Sequence, residues 1–119
     1  MNIYLSYPIT NILKYKENYQ EIRKAILGLG HNLELDLLSK YIELAKKNKV
    51  IIPSRNAYKK TINSIIKSDI IICDVTVKST SMGHIITFAL NVHKPVLVLY
   101  WNGGNNPSQI FLAMSQSPL

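Results

Sequence analysis

Acidic residues are scarce in this 119-residue chain, with seven Asp and Glu against fourteen Lys and Arg and a net charge of +7. From Val75 to Leu119 there is no carboxylate side chain at all. Carboxylate chemistry in that stretch would need an acid from elsewhere. Cysteine occurs once, at Cys73 inside an apolar stretch, which excludes an internal disulfide and a cysteine-rich metal site. The residue reads as a buried thiol. No apolar run approaches the roughly 20 residues of a membrane-spanning helix. Met1-Asn2-Ile3-Tyr4-Leu5 lacks the basic region and long apolar segment of a signal peptide, so a cytoplasmic location is the default expectation. His31 and His93 lie far apart with no ligand spacing, so no metal is expected. No internal repeat or low-complexity tract is present.

What is present fits a packed globular domain: 47% hydrophobic and 18% charged residues. A chain of this length makes one domain. The cations fall mainly on helical segments, among them Lys14, Lys16, Arg23, Lys24, Arg55, Lys59, Lys60 and Lys67. They read first as solvated helix faces, with a polyanion surface as the second reading.

Ile3 to Ser6 reads as a short strand, ended by Tyr7-Pro8 because the residue before proline is pushed out of helical conformation. From about Asn11 to Leu27, Tyr15, Tyr19, Ile22 and Ile26 recur at helical spacing, and Gly28 and Gly30 stop that helix. His31 to Leu35 makes a weak second strand. Leu37 to Asn48 is helical, with Tyr41, Leu44 and Ala45 on one face. After Val50-Ile51-Ile52-Pro53, Ser54 caps a helix to Lys67 whose apolar stripe is Tyr58, Ile62, Ile65 and Ile66. Asp69 to Val75 is a third strand, Ser81 caps a helix to about His93, and Pro95 to Tyr100 is a strand of the kind buried on both faces. Ser108 to Met114 has room for one or two helical turns. Alternation of this kind predicts an α/β domain, flavodoxin-like or Rossmann-like in three layers, with a parallel sheet of at least four strands ordered 2-1-3-4.

The unit running from Ser68 through the polar, Gly-containing turn Ser79-Thr80-Ser81-Met82-Gly83-His84 to Lys94-Pro95 aims a helix N-terminus beyond a strand's carboxyl end. There open α/β sheets bind ligands, and unpaired backbone N–H groups suit phosphate. Ser79 and Ser81 serve either as turn and cap residues or as phosphate contacts. Asp74, at the end of the third strand, either meets a ligand or holds its own turn. His84 serves either as a general acid or base or as a solvated first-turn residue. Ile85 shares a helix stripe with Met82, Ile86 and Ala89.

Ile3-Tyr4-Leu5-Ser6-Tyr7-Pro8-Ile9, Ser68-Asp69-Ile70-Ile71-Ile72-Cys73-Asp74-Val75-Thr76 and the Ser-rich loop before Lys94-Pro95 together resemble the nucleoside 2-deoxyribosyltransferase superfamily, nearest its 2'-deoxynucleoside 5'-phosphate N-hydrolase branch. The resemblance spans residues 2 to 100 in element order. It implies a flavodoxin-like sheet, a homodimer, no cofactor, and a nucleoside or nucleotide as the ligand whose base–sugar bond is cut. In that family a glutamate near the start of the helix after the loop attacks the anomeric carbon, and a second carboxylate on the preceding helix assists. Those positions fall on Ile85 and Thr61, neither of which supplies a carboxylate. The resemblance also places Ser79 at the 5'-phosphate, Ser81 beside it, Gly83 where the backbone approaches closely, and Ser6 and Tyr7 at the sugar or phosphate. The arginine of that first turn and the family's late strand have no counterpart here. The expected function is nucleotide or nucleoside binding with weak or absent N-glycosidase activity. The alternatives are an active glycosidase or transferase with a relocated acid, Asp74 or His84, and a basic interaction module.

Overall fold

The computed structural model describes residues 1–49 and 54–101. Within them the elements are β1 (Asn2–Ser6), α1 (Ile12–Gly28), β2 (Asn32–Leu33), α2 (Leu38–Lys46), α3 (Arg55–Lys67), β3 (Ile70–Asp74), α4 (Thr80–Asn91) and β4 (Val96–Leu99). The strands form one parallel sheet in the expected order, β2-β1-β3-β4. β1 pairs with β3 from Ile3↔Ile70 to Ser6↔Cys73, which sets the carboxyl ends of the two central strands side by side.

Strand alternation divides the core between the two faces. Tyr4, Ile71, Cys73 and Val75 pack with Ile65 of α3 and Met82, Ile86 and Ala89 of α4. Ile3 and Ile72 pack with Ile26 of α1, and a neighbouring cluster joins Ile12, Tyr15 and Tyr19 to Leu38 and Ile42 of α2. Helices therefore cover both faces, as the near-continuous apolar character of β3 requires.

Several local expectations change in the folded chain. α4 begins two residues earlier than the sequence suggests: Ser79, not Ser81, is the N-cap, its hydroxyl accepting from the Met82 N–H at 3.4 Å. Ser54 caps α3 as expected, accepting from Ala57 at 3.0 Å. α4 also stops short of His93, which takes a left-handed backbone (φ 60°) while the Lys94 N–H donates to the Ala89 carbonyl at 2.9 Å. β2 is cut to two residues, and Leu35 beyond it is left-handed (φ 54°), which no extended strand admits.

The apolar stripe of α3 splits. Ile65 is fully buried, whereas Tyr58 and Ile66 are each 50% exposed. Successive helical residues point about 100° apart, and the small Ser64 and Ser68 take the remaining buried places, donating to the Lys60 and Ser64 carbonyls. On α2 the buried residues are Leu38 and Ile42, with Tyr41 and Ala45 only partly covered. β4 is not buried on both faces: Leu97 and Val98 are exposed, because β4 ends the strand order and pairs only with β3 among the described residues. The helical turns expected at Ser108 to Met114 lie outside the described residues.

Candidate functional site

Beyond the carboxyl end of β1 the chain turns through Tyr7-Pro8-Ile9-Thr10 before entering α1. This turn, the β2–α2 connection at Leu35 and Leu37, and the first turn of α4 enclose a cavity of about 220 Å³. Its walls include Ser6, Tyr7, Ser79 and Ser81 from the expected ligand set, with Met82 and Ile85 of α4 and Tyr4 and Tyr41 as further aromatic sides. No Asp or Glu lines it.

The aromatic wall is preset by packing. Tyr7 stacks on Tyr19 with centroids 5.1 Å apart and meets Tyr41 edge-on at 6.5 Å. Burial raises the Tyr7 hydroxyl well above the ordinary phenol range, and neighbouring Tyr41 adds to that. Burial likewise pushes Tyr4 up to about 12. Both phenols are neutral donors near pH 7. Beside this wall, Arg23 grips Asp36 through Nε and Nη2 at 2.9 and 2.7 Å, and that bond raises the guanidinium pKa further. The pair spans α1 and the β2–α2 connection that carries Leu35 and Leu37.

Asp74 is 2% exposed and does not line the cavity. Its Oδ1 accepts from the Thr76 N–H at 2.9 Å, and Thr76 Oγ1 accepts from the Trp101 N–H at 3.0 Å. Asp74 thus holds the turn after β3, and Thr76 ties that turn to the chain leaving β4. The charge of Asp74, second to burial, raises the Tyr19 hydroxyl and the Cys73 thiol, the thiol to about 12.

A groove of about 320 Å³ lies between α3 and α4 and meets the cavity at Ser81 and Ile85, which line both. Here the two positions that the resemblance assigns to carboxylates come together, Thr61 on α3 and Ile85 on α4. The Thr61 hydroxyl donates to the Ala57 carbonyl at 3.1 Å. His84 also lines the groove, its Nε2 sharing a hydrogen bond with the Tyr58 hydroxyl at 3.0 Å. Gly83 lines neither space, and a Cβ built on it meets nothing within 4 Å.

The folded chain therefore brings Ser6, Tyr7, Ser79 and Ser81 to one cavity, puts Thr61, Ile85 and His84 at its neighbour, and keeps Asp74 and Gly83 out of both. Sequence reasoning missed Tyr4, Tyr41 and Tyr58 at these walls. Tyr4 has a usable signal as one of the four tyrosines that precede Gln20 and Tyr41 as part of a helix face, whereas the spacing of Tyr58 matches a core stripe.

The sheet order, the two helical layers and the cavity at the strand ends define a flavodoxin-like or Rossmann-like α/β domain. Among solved structures, the chain is similar to the CMP N-glycosidase BcmB of Clostridium botulinum, with a TM-score of 0.55 and 14% identity over 84% of this chain and 71% of that one. At this identity the likeness is one of fold. No family model matches the chain, and no curated protein matches its sequence.

Proposed function

We propose that this chain binds a nucleoside or nucleotide on an N-glycosidase-like frame, with weak or no cleavage of the base–sugar bond. The observation that carries the reading is a cavity of about 220 Å³ at the carboxyl end of β1, bounded by the capped start of α4, whose walls hold hydroxyls and phenols but no carboxylate. Ser79, Ser81 and the first-turn N–H groups of α4 suit a phosphate or a sugar hydroxyl, and Tyr7 with Tyr41 suits a flat ring. The fold likeness to a glycosidase that acts on CMP supports a nucleotide as the ligand class. Cleavage through a glycosyl ester needs a carboxylate, and Ile85 and Thr61 stand where the resemblance expects the acids. Asp74, bonded within its own turn, is poorly placed to replace them.

The experiment incubates the protein at high concentration with deoxynucleosides, ribonucleosides and their 5'-monophosphates, following base release by chromatography and ligand binding by melting temperature. A rise in melting temperature without base release is expected. Release that His84→Gln or Asp74→Asn abolishes would replace this reading with that of an active glycosidase. Absence of any binding would refute it.

A further inference from the structure

The fold sorts the charges unevenly. α1 and α2 mix acidic and basic side chains, whereas α3 holds Arg55, Lys59, Lys60 and Lys67, and neither α3 nor α4 contains an Asp or Glu. The ion pairs among the described residues, Arg23–Asp36 and Lys46–Glu43, leave the α3 cations unneutralised. On α3, Arg55, Tyr58, Lys59 and Ile62 are linked by three- and four-residue steps and so form one contiguous patch. Tyr58 and Ile62 line the groove. Tyr58 is half exposed, and its ring lies 5.8 Å from that of His84, tilted by 32°. The groove therefore combines an apolar floor at Ile62 and Ile85, an accessible aromatic pair and a cationic rim. It opens directly onto the first cavity across Ser81 and Ile85.

We propose that the α3–α4 groove is a second nucleotide subsite, taking the base and phosphate of a unit covalently joined to the one held in the cavity. The inference rests on the cavity being a nucleotide site. Base stacking on exposed aromatic side chains beside a positive track is the general chemistry of single-stranded nucleic-acid binding. The linking phosphate sits near Ser81 in the first turn of α4, where helix geometry leaves N–H groups unpaired. The partner chemistry is a chain of at least two nucleotide units, supplied either as a free dinucleotide or as the end of a strand.

Calorimetric titration with cytidine 5'-monophosphate, the 5'-phosphorylated cytidine dinucleotide and a cytidine hexamer tests this. The dinucleotide is expected to bind at least tenfold more tightly than the mononucleotide, about 1.4 kcal/mol, with the gain shrinking as salt is added. Tyr58→Ala combined with Lys59→Ala removes the gain and leaves mononucleotide affinity unchanged. Should that double variant melt early, Arg55→Ala combined with Lys59→Ala repeats the test on the exposed rim of α3. A hexamer tighter than the dinucleotide identifies a strand as the source, and an equal one identifies a free dinucleotide; both uphold the subsite. Equal binding of mononucleotide and dinucleotide overturns the subsite alone. No binding of either overturns the cavity reading with it.

Discussion

Replacing Tyr19 by phenylalanine should stabilise the protein. Tyr19 sits in α1 with 1% of its surface exposed, and its hydroxyl has no hydrogen-bond partner among the described residues. The ring is well used, stacked on Tyr7 at 5.1 Å and 6.5 Å from Tyr15. Phenylalanine keeps that stack and removes an oxygen that loses hydration on folding, a loss of about 1–3 kcal/mol for an unpaired buried group. Taking the lower end, Tyr19→Phe adds about 1 kcal/mol. An unfolding entropy of about 2.1 cal/mol/K per residue makes this a rise in Tm of roughly 4 °C for a chain of 119 residues. Tyr19→Ala, which deletes the ring and opens a cavity between α1 and α2, should cost about 3–5 kcal/mol. Scanning calorimetry of the two variants reads both signs. A fall in Tm for Tyr19→Phe would refute the reasoning, because it would mean that the hydroxyl is bonded in the folded protein.

Placing acids at the two positions that the resemblance assigns to carboxylates tests the frame: Thr61→Asp with Ile85→Glu is expected to create base release from nucleoside 5'-monophosphates that neither single change produces, and a double variant that binds but stays silent would count against these positions. Stability should also fall in alkali. Burial raises Cys73 and Tyr4 from ordinary values of 9.0 and 10.0 to about 12. The unfolded chain releases these protons first, so their contribution is fully present below about pH 9 and is lost as pH rises toward 12. A Tm that stays level from pH 8 to roughly pH 11 would contradict this sign.

The sequence by itself determined the parallel sheet and its order. The runs at Ile70–Cys73 and Val96–Leu99 are strand-length and apolar, and the helical spacing of Tyr15, Tyr19 and Ile26 separates them from helices. Local chemistry of this kind is written residue by residue, as at Ser54, whose cap needs only the Ala57 N–H three positions on. Tertiary structure decided the rest. Whether Ile65 or Ile66 faced the core depended on where α3 settled against the sheet, and that choice released Tyr58 to meet His84, a residue 26 positions away. Asp74 accepts from Thr76 two positions on, a local bond, whereas the bond from Trp101 to Thr76 depends on β4 lying beside β3. Cavity walls drawn from β1, α2 and α4 depend on distances between segments far apart in sequence, which periodicity does not encode. The lack of any Asp or Glu after Asp74 was legible from the start, because folding cannot supply a residue type that a segment does not contain.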